Sequence, residues 1–346
     1  MNKIALAIHG GAGTILKSQM TPDLEREYHG ALENALKAGW TILTRGGSSL
    51  DAVEAAVVSL EDFPLFNAGR GSVFTHEGKQ EMDAAIMDGK NLRAGAVAFV
   101  KNIKNPVKLA RLVMERTDHV LLAGEGANQF AEQVGAQFEP DEYFFTEHRW
   151  LQLQEAMADG RIQLDHSEPQ DNRVKLTTDS QEGGFTPAIS GARGSKPPFP
   201  TVSNKLEDEN RGLGTVGAVA CDKNGYVAAA TSTGGMTNKK FGRVGDTPLI
   251  GLGNYADETC AVSCTGHGEY FMLGVTAYDV AARMKYKGST LTEAAQESIE
   301  RLTTIGGEGG LIAVDAHGNV TLTFNSDGMY RGYVNKNGDF IVGLFK

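Results

Sequence analysis

The chain reads as a layered α+β sandwich. Three features of its 346 residues carry that reading. Helical patterns come in consecutive pairs, strand patterns come as hairpins, and no sustained strand–helix–strand alternation connects them. The length suits one large domain or two ordinary ones of about 150 residues, and it leaves enough chain for a substantial core. The 43 glycines exceed the usual share of about 7% and point to tight turns and close backbone approaches.

Taken in order, Ile4-Ala5-Leu6-Ala7-Ile8 begins a first strand. That apolar run is too short for a signal peptide or a membrane span, so the segment is expected to stay in the mature protein. Thr21 followed by Pro22 is a helix start. Leu24, Tyr28, Leu32, Leu36, Trp40 and Leu43 then recur at helical steps, and Gly46-Gly47 ends the pattern. Ser48 or Ser49 caps a second helix through Ala52, Val53, Ala56, Val57 and Leu60, which Pro64 stops. Residues 95–100 read as a strand, Pro106 opens a helix through Leu109, Leu112 and Val113, 119–122 is a short strand, and 125–134 a helix. Residues 166–213, with Lys196-Pro197-Pro198-Phe199-Pro200, suit neither helix nor central strand and read as a long flexible linker. Beyond it, 215–221 and 226–232 form a hairpin about Asp222-Lys223-Asn224-Gly225. Its alanines (Ala218, Ala220, Ala228, Ala229 and Ala230) imply close packing on both faces. One helix is expected over 269–284, with Phe271, Val275, Tyr278 and Ala282 on its buried face, and another over 291–302. Residues 310–314, 320–324 and 340–344 are late strands.

Lys plus Arg is 33 against 43 Asp plus Glu, a net charge of −10, which disfavours nucleic-acid binding. Cys221, Cys260 and Cys264 form no CxxC pair and no disulfide framework; they fit a reducing cytoplasm, most simply as small buried filler. The eight histidines are scattered without zinc-ligand spacing. His9-Gly10-Gly11-Ala12-Gly13 follows a strand, yet it matches neither a GxGxxG nor a GxxxxGK[ST] phosphate loop. It reads as a strand-end turn, beside which His9 either lines a site or is a satisfied core residue. No organic cofactor, nucleic acid or membrane is therefore expected as partner, and the expected location is cytoplasmic.

The chemistry concentrates where the linker becomes strand. Gly214-Thr215-Val216-Gly217 puts a threonine at that junction, a common strand start by itself. Nearby stand Thr231-Ser232-Thr233-Gly234-Gly235, Gly242-Arg243-Val244-Gly245-Asp246 and Thr265-Gly266-His267-Gly268-Glu269. Hairpin pairing brings Thr215 and Thr233 to one end of a sheet. Arg243 offers a fork for a carboxylate and Asp246 a partner for an ammonium. The pair suits the head group of an α-amino acid, although a surface ion pair is the simpler reading of either residue alone.

These motifs resemble those of the plant-type L-asparaginases, or isoaspartyl peptidases, within the N-terminal-nucleophile hydrolases. Ile8-His9-Gly10-Gly11-Ala12-Gly13, Phe66-Asn67-Ala68-Gly69-Arg70-Gly71 and Met82-Asp83-Ala84-Ala85-Ile86-Met87-Asp88-Gly89 agree in the N-terminal part. The resemblance covers nearly everything except 166–213. It implies a four-layer αββα sandwich, a single domain over 1–346 that cuts itself between Gly214 and Thr215 into an α chain 1–214 and a β chain 215–346, and an (αβ)₂ assembly. It further implies Thr215 as nucleophile, Thr233 as its orienting partner, and an oxyanion hole from Thr265 and the Gly266 N–H. Arg243 and Asp246 would hold the substrate, with Gly266 and Gly268 beside them, and Asn67 would sit at the site edge. A structural sodium ion is implied on the backbone carbonyls of Leu60, Glu61, Phe63, Phe66, Ala68 and Arg70.

The implied reaction has physical reasons of its own. A freed α-amine has a reference pKa of about 7.7–8.0 and takes the proton of the same residue's hydroxyl, which an amide nitrogen does not. Gly214 leaves the preceding carbonyl open to attack. The expected substrates are L-asparagine and β-aspartyl dipeptides. Two features depart from the family pattern: Leu213 stands where some members have histidine, and the linker is longer than in compact members. Competing readings are a glycosylasparaginase, a taspase-like protease and a non-catalytic amino-acid-binding module.

Overall fold

Strand alternation builds the centre of the molecule. In β1 (Ala5–Gly13), Leu6 and Ile8 join one apolar cluster while Ala5 and Ala7 join another, the two-residue period of a strand covered on both faces. The computed structural model describes residues 4–13, 15, 17, 20–159, 214–335 and 337–346; the expected linker lies outside them. After β1 come α1 (Pro22–Thr44), α2 (Ser49–Glu61), β2 (Met82–Asp88), β3 (Arg93–Val100), α3 (Pro106–Arg116), β4 (Leu121–Ala123), α4 (Gly124–Gln133), α5 (Asp141–Phe144) and α6 (Glu147–Ala158). The second part holds β5 (Val216–Cys221), β6 (Val227–Thr233), β7 (Asn254–Ala256), β8 (Cys260–Gly266), α7 (Gly268–Gly274), α8 (Thr276–Ala282), α9 (Leu291–Thr304), β9 (Gly309–Asp315), β10 (Val320–Phe324), β11 (Gly328–Val334) and β12 (Phe340–Phe345).

The fold is mixed α/β with two sheets. One has the order β12-β11-β1-β5-β6-β2-β3-β4, the other β10-β9-β8-β7. α1, α2 and α3 pack on the larger sheet, α8 and α9 on the smaller, and β1, β5 and β6 meet β8 and β9 between the sheets. The alanines of β5 and β6 are fully buried and divide between the two faces: Ala218, Ala220, Ala228 and Ala230 toward the helices, Ala229 toward the other sheet. Val216 pairs with Ser232 across this hairpin, so Thr215 and Thr233 meet at one end, as the sequence predicts.

The helix starts also agree with the sequence. The Thr21 side chain accepts from Leu24 N–H before Pro22, and Ser48 rather than Ser49 caps α2. Other expectations need correction. Residues 9–13 are not a strand-end turn: β1 runs on to Gly13 with an irregular register between His9 and Gly11. The helix expected over 269–284 is broken, because Val275 adopts a left-handed conformation (φ 51°) between α7 and α8. Val275 is exposed and Tyr278 and Ala282 are half-buried, and the buried face runs through Phe271, Ala277, Val280 and Ala281 instead. The 222–225 turn is wider than a two-residue hairpin. Asp222 N–H donates to Tyr226 O, and Gly225 (φ 83°) takes the left-handed position. β7 and β8 of the smaller sheet and β2 and β11 of the larger went unrecognised as strands; the last two have a common reason. Both lie inside the larger sheet, β11 between β12 and β1, where the pattern is not an alternation.

Among the described residues, no helix is long and apolar enough to cross a membrane, and no group of three or more His, Cys, Asp or Glu could hold a metal ion. The three cysteines are buried thiols.

Candidate active site

The end of the larger sheet at Thr215 opens into a pocket. Gly214, Thr215, Thr233, Arg243, Asp246, Thr265, Gly266, Gly268 and Asn67 all line it, beside Ala12, Met236, His267 and Glu308. Every expected nucleophile, clamp and oxyanion residue is therefore in one place. Thr215 stands just before β5, Thr233 ends β6, Thr265 and Gly266 end β8, and Arg243 and Asp246 lie on the long loop between β6 and β7.

Thr215 is half-buried. Its hydroxyl donates to Thr233 Oγ1 at 3.1 Å, and Thr233 Oγ1 also accepts from Gly235 N–H at 3.0 Å. Those two donors fix the Thr233 oxygen as an acceptor facing Thr215. Asn67 holds the segment behind it. Its Nδ2 donates to Gly235 O (2.8 Å), its Oδ1 accepts from Val73 N–H (3.0 Å), and its backbone carbonyl accepts from Gly234 N–H. Asn67 is 1% exposed, so it braces the floor of the site rather than its edge. Lys239, to which the sequence assigns no role, braces the same turn by donating to Gly234 O and Glu81 O.

Across the pocket, Ala12 N–H donates to Thr265 Oγ1 at 3.3 Å, which leaves the hydroxyl proton of Thr265 to donate elsewhere. Gly266 sits at φ +141°, and a Cβ there would lie 2.4 Å from Glu308 O; only glycine fits.

Arg243 and Asp246 form the charged wall. Nε and Nη2 of Arg243 donate to the two carboxylate oxygens of Glu269, each at 2.9 Å. Burial pushes the Glu269 carboxyl up, but the Arg243 hydrogen bond and charge outweigh it and hold it below its ordinary value. Asp246 is 5% exposed, and its Oδ2 has no hydrogen-bond partner among the described residues. Burial raises its pKa to about 7, against the pull of Arg243. Gly268 is glycine for a reason: a Cβ would stand 2.8 Å from Asp246 Oδ1 and 2.9 Å from Arg243 Nη2. A guanidinium and an unpartnered carboxyl side by side have the chemistry to meet a carboxylate and an ammonium.

None of the six residues expected to hold sodium lines the pocket, although Asn67 of the same loop does. A Cβ at Gly69 would lie 2.5 Å from Glu61 O, and one at Gly71 2.1 Å from Phe66 O. The loop is thus packed backbone against backbone at both glycines. The carbonyls of Leu60, Phe66 and Ala68 also accept local N–H groups, which leaves each a second lone pair. The Glu61 side chain is engaged elsewhere. Its Oε1 accepts from Ser232 Oγ and Val107 N–H, and burial pushes its pKa up to about 8. Arg70 stacks its guanidinium over Tyr143. His9 is not in the pocket: it is fully buried behind Thr215, and the lone His-Gly-Gly signal gave no hint of its partners.

Comparison with known proteins gives this geometry a context. The asparaginase family profile matches residues 2–343. The chain belongs to the asparaginase family. An isoaspartyl peptidase of Salmonella typhimurium is 49% identical over 336 residues, spanning 96% of both chains. A plant-type L-asparaginase of Pyrococcus horikoshii is 42% identical over 339 residues, again 96% of each. An isoaspartyl peptidase/L-asparaginase of Homo sapiens is 41% identical over 331 residues, 95% of this chain and 92% of that one.

Proposed function

We propose that this asparaginase-family chain hydrolyses β-aspartyl dipeptides and the side-chain amide of L-asparagine with Thr215 as an N-terminal nucleophile. The observation that carries the reading is the 3.1 Å contact from Thr215 Oγ1 to Thr233 Oγ1 in a pocket shared with Arg243, Asp246 and Thr265. In the unbroken chain the Thr215 nitrogen is an amide and no base. The chain therefore first cuts itself: the Thr215 hydroxyl attacks the Gly214 carbonyl, an acyl shift gives an ester, and water releases chains 1–214 and 215–346. The freed amine then takes the hydroxyl proton. The substrate α-carboxylate binds Arg243 and its α-ammonium binds Asp246, with Gly268 leaving room for both. Thr215 Oγ1 attacks the side-chain carbonyl, and its oxyanion receives hydrogen bonds from Thr265 and the Gly266 N–H; one such donor is worth about 10²–10³ in rate. Ammonia or an amino acid leaves, and water cleaves the β-aspartyl ester.

The same reading includes a four-layer αββα arrangement, which the packing of helices outside two facing sheets supports. It includes a sodium ion on the carbonyls of Leu60, Glu61, Phe63, Phe66, Ala68 and Arg70, where it would stiffen the loop that leads to Asn67. An (αβ)₂ assembly and a cytoplasmic location complete it, the latter supported by the buried thiols.

Intact-mass analysis under denaturing conditions tests the reading. Two chains, the smaller beginning at Thr215, together with β-aspartyl dipeptidase activity, are expected. Thr215→Ala is expected to abolish both cutting and activity, and full activity in that variant would refute the mechanism.

A further inference from the structure

The layer between the two sheets is built of small and branched apolar residues such as Ala7, Val219, Ala229 and Ile312. One chain of polar side chains crosses it. Asn254 Nδ2 lies 2.9 Å from Thr231 Oγ1, Thr231 Oγ1 lies 2.7 Å from Ser263 Oγ, and Ser263 Oγ lies 2.8 Å from His9 Nε2. His9 Nδ1 then lies 2.9 Å from the backbone carbonyl of Thr215. His9, Thr231, Ser263 and Asn254 are all fully buried. Buried polar groups in an apolar layer are costly unless they are satisfied, and of these four side chains Asn254 Oδ1 is left without a partner among the described residues.

The hydrogen bonds of this chain take their direction from the Thr215 carbonyl, with Gly253 O a second, longer acceptor for Thr231 Oγ1 at 3.5 Å. A carbonyl oxygen only accepts, so His9 Nδ1 carries the proton. Burial lowers the His9 pKa to about 3, so the ring is neutral and Nε2 is a bare acceptor. Ser263 must donate to it. Its single proton spent, Ser263 accepts from Thr231, and Thr231 accepts from the Asn254 amide. The backbone is shaped around this path. A Cβ at Gly217 would stand 2.0 Å from Ser263 Oγ and 2.4 Å from His9 Nε2. Gly217, two residues after Thr215, thus leaves the space that the His9–Ser263 bond occupies.

We infer that His9 is a positioning residue for the Thr215 nucleophile, its Nδ1–H bonded to the Thr215 carbonyl and its Nε2 held by the chain through Ser263, Thr231 and Asn254. By anchoring the Thr215 carbonyl it fixes the residue that bears both the attacking hydroxyl and the amine. Without the anchor that residue pivots about its bond to Val216. The inference rests on Thr215 being the nucleophile.

The test has two arms. In mature protein carrying histidine labelled at both ring nitrogens, the His9 signal, assigned by its loss in His9→Asn, is expected to report a neutral ring with the proton on Nδ1. A proton on Nε2, or a charged ring at pH 7, overturns the inference whatever the enzyme's activity. In the second arm Ser263→Ala removes the donor that holds the ring at Nε2. Chains confirmed by mass to start at Thr215 are expected to lose about 10²-fold in kcat, the scale of a 1 Å misplacement. KM stays near the wild-type value, because Arg243 and Asp246 are untouched. An unchanged kcat, or a loss confined to KM, overturns the inference. Wild-type protein that neither cuts at Thr215 nor hydrolyses the dipeptide fails the functional reading instead, and the tautomer measurement still decides the hydrogen-bond direction.

Discussion

Asp246→Asn separates what the clamp does for binding from what it does to stability. Asp246 is buried beside Arg243 with one oxygen unpartnered, and its pKa rises from 3.8 to about 7. The folded pKa lies above the unfolded one, so the folded state binds the extra proton between about pH 4 and 7, and stability falls as pH rises through that window. Below it the group is neutral in both states and carries no penalty. Above it the ionised carboxylate bears the full penalty, roughly 4 kcal/mol at about 1.36 kcal/mol per pH unit. Asp246→Asn is therefore expected to raise the melting temperature at pH 8 and to leave it nearly unchanged at pH 4. The ionised form is also the one that binds an ammonium, so the same substitution is expected to raise KM about 10- to 100-fold, from the loss of a charge-assisted hydrogen bond worth about 1.5–3 kcal/mol. In the wild type, inhibition by L-aspartate should weaken below pH 7, approaching tenfold per pH unit, as the carboxylate becomes protonated. Inhibition avoids the Thr215 amine, whose own titration enters kcat. Thermal melts at the two pH values and inhibition constants from pH 5.5 to 8.5 check the argument. A variant less stable than wild type at pH 8, or inhibition independent of pH, would refute it.

Two further outcomes follow from the pocket. Thr233→Val keeps the side-chain shape but removes the oxygen that accepts from Thr215 and from Gly235 N–H; kcat is expected to fall about 10²-fold with little change in KM, measured on chains already cut at Thr215. Gly268→Ala forces a methyl to within 2.9 Å of both Asp246 Oδ1 and Arg243 Nη2; steady-state kinetics should show a raised KM at nearly unchanged kcat, and a KM equal to wild type would contradict the placement of the clamp.

Much of the site was legible because its residues sit in short motifs at strand ends. Residues 222–226 close the hairpin with Cys221 opposite Val227, and that register carries Thr215 to Thr233. Glycines 266 and 268 mark backbone approaches that side chains forbid. The break at Val275 was not legible, since the run of residues around it keeps helical spacing while its burial belongs to another face. β11 escaped because Gly328–Val334 is covered on both sides in the larger sheet and shows no clean alternation.

The sequence by itself determined the hairpin that presents Thr215, the pairing of fork and carboxylate in Arg243 and Asp246, and the family to which they point. These depend on neighbours within a few residues or on one strand register. Only the tertiary structure decided that Asn67 is a brace, that Asp246 titrates near neutrality, and that His9 reaches Thr215. His9 lies 206 positions from Thr215 and 254 from Ser263. Contacts between two sheets, and the loss of water around a carboxylate, are sums over elements brought together by packing, and no local pattern in the chain encodes them.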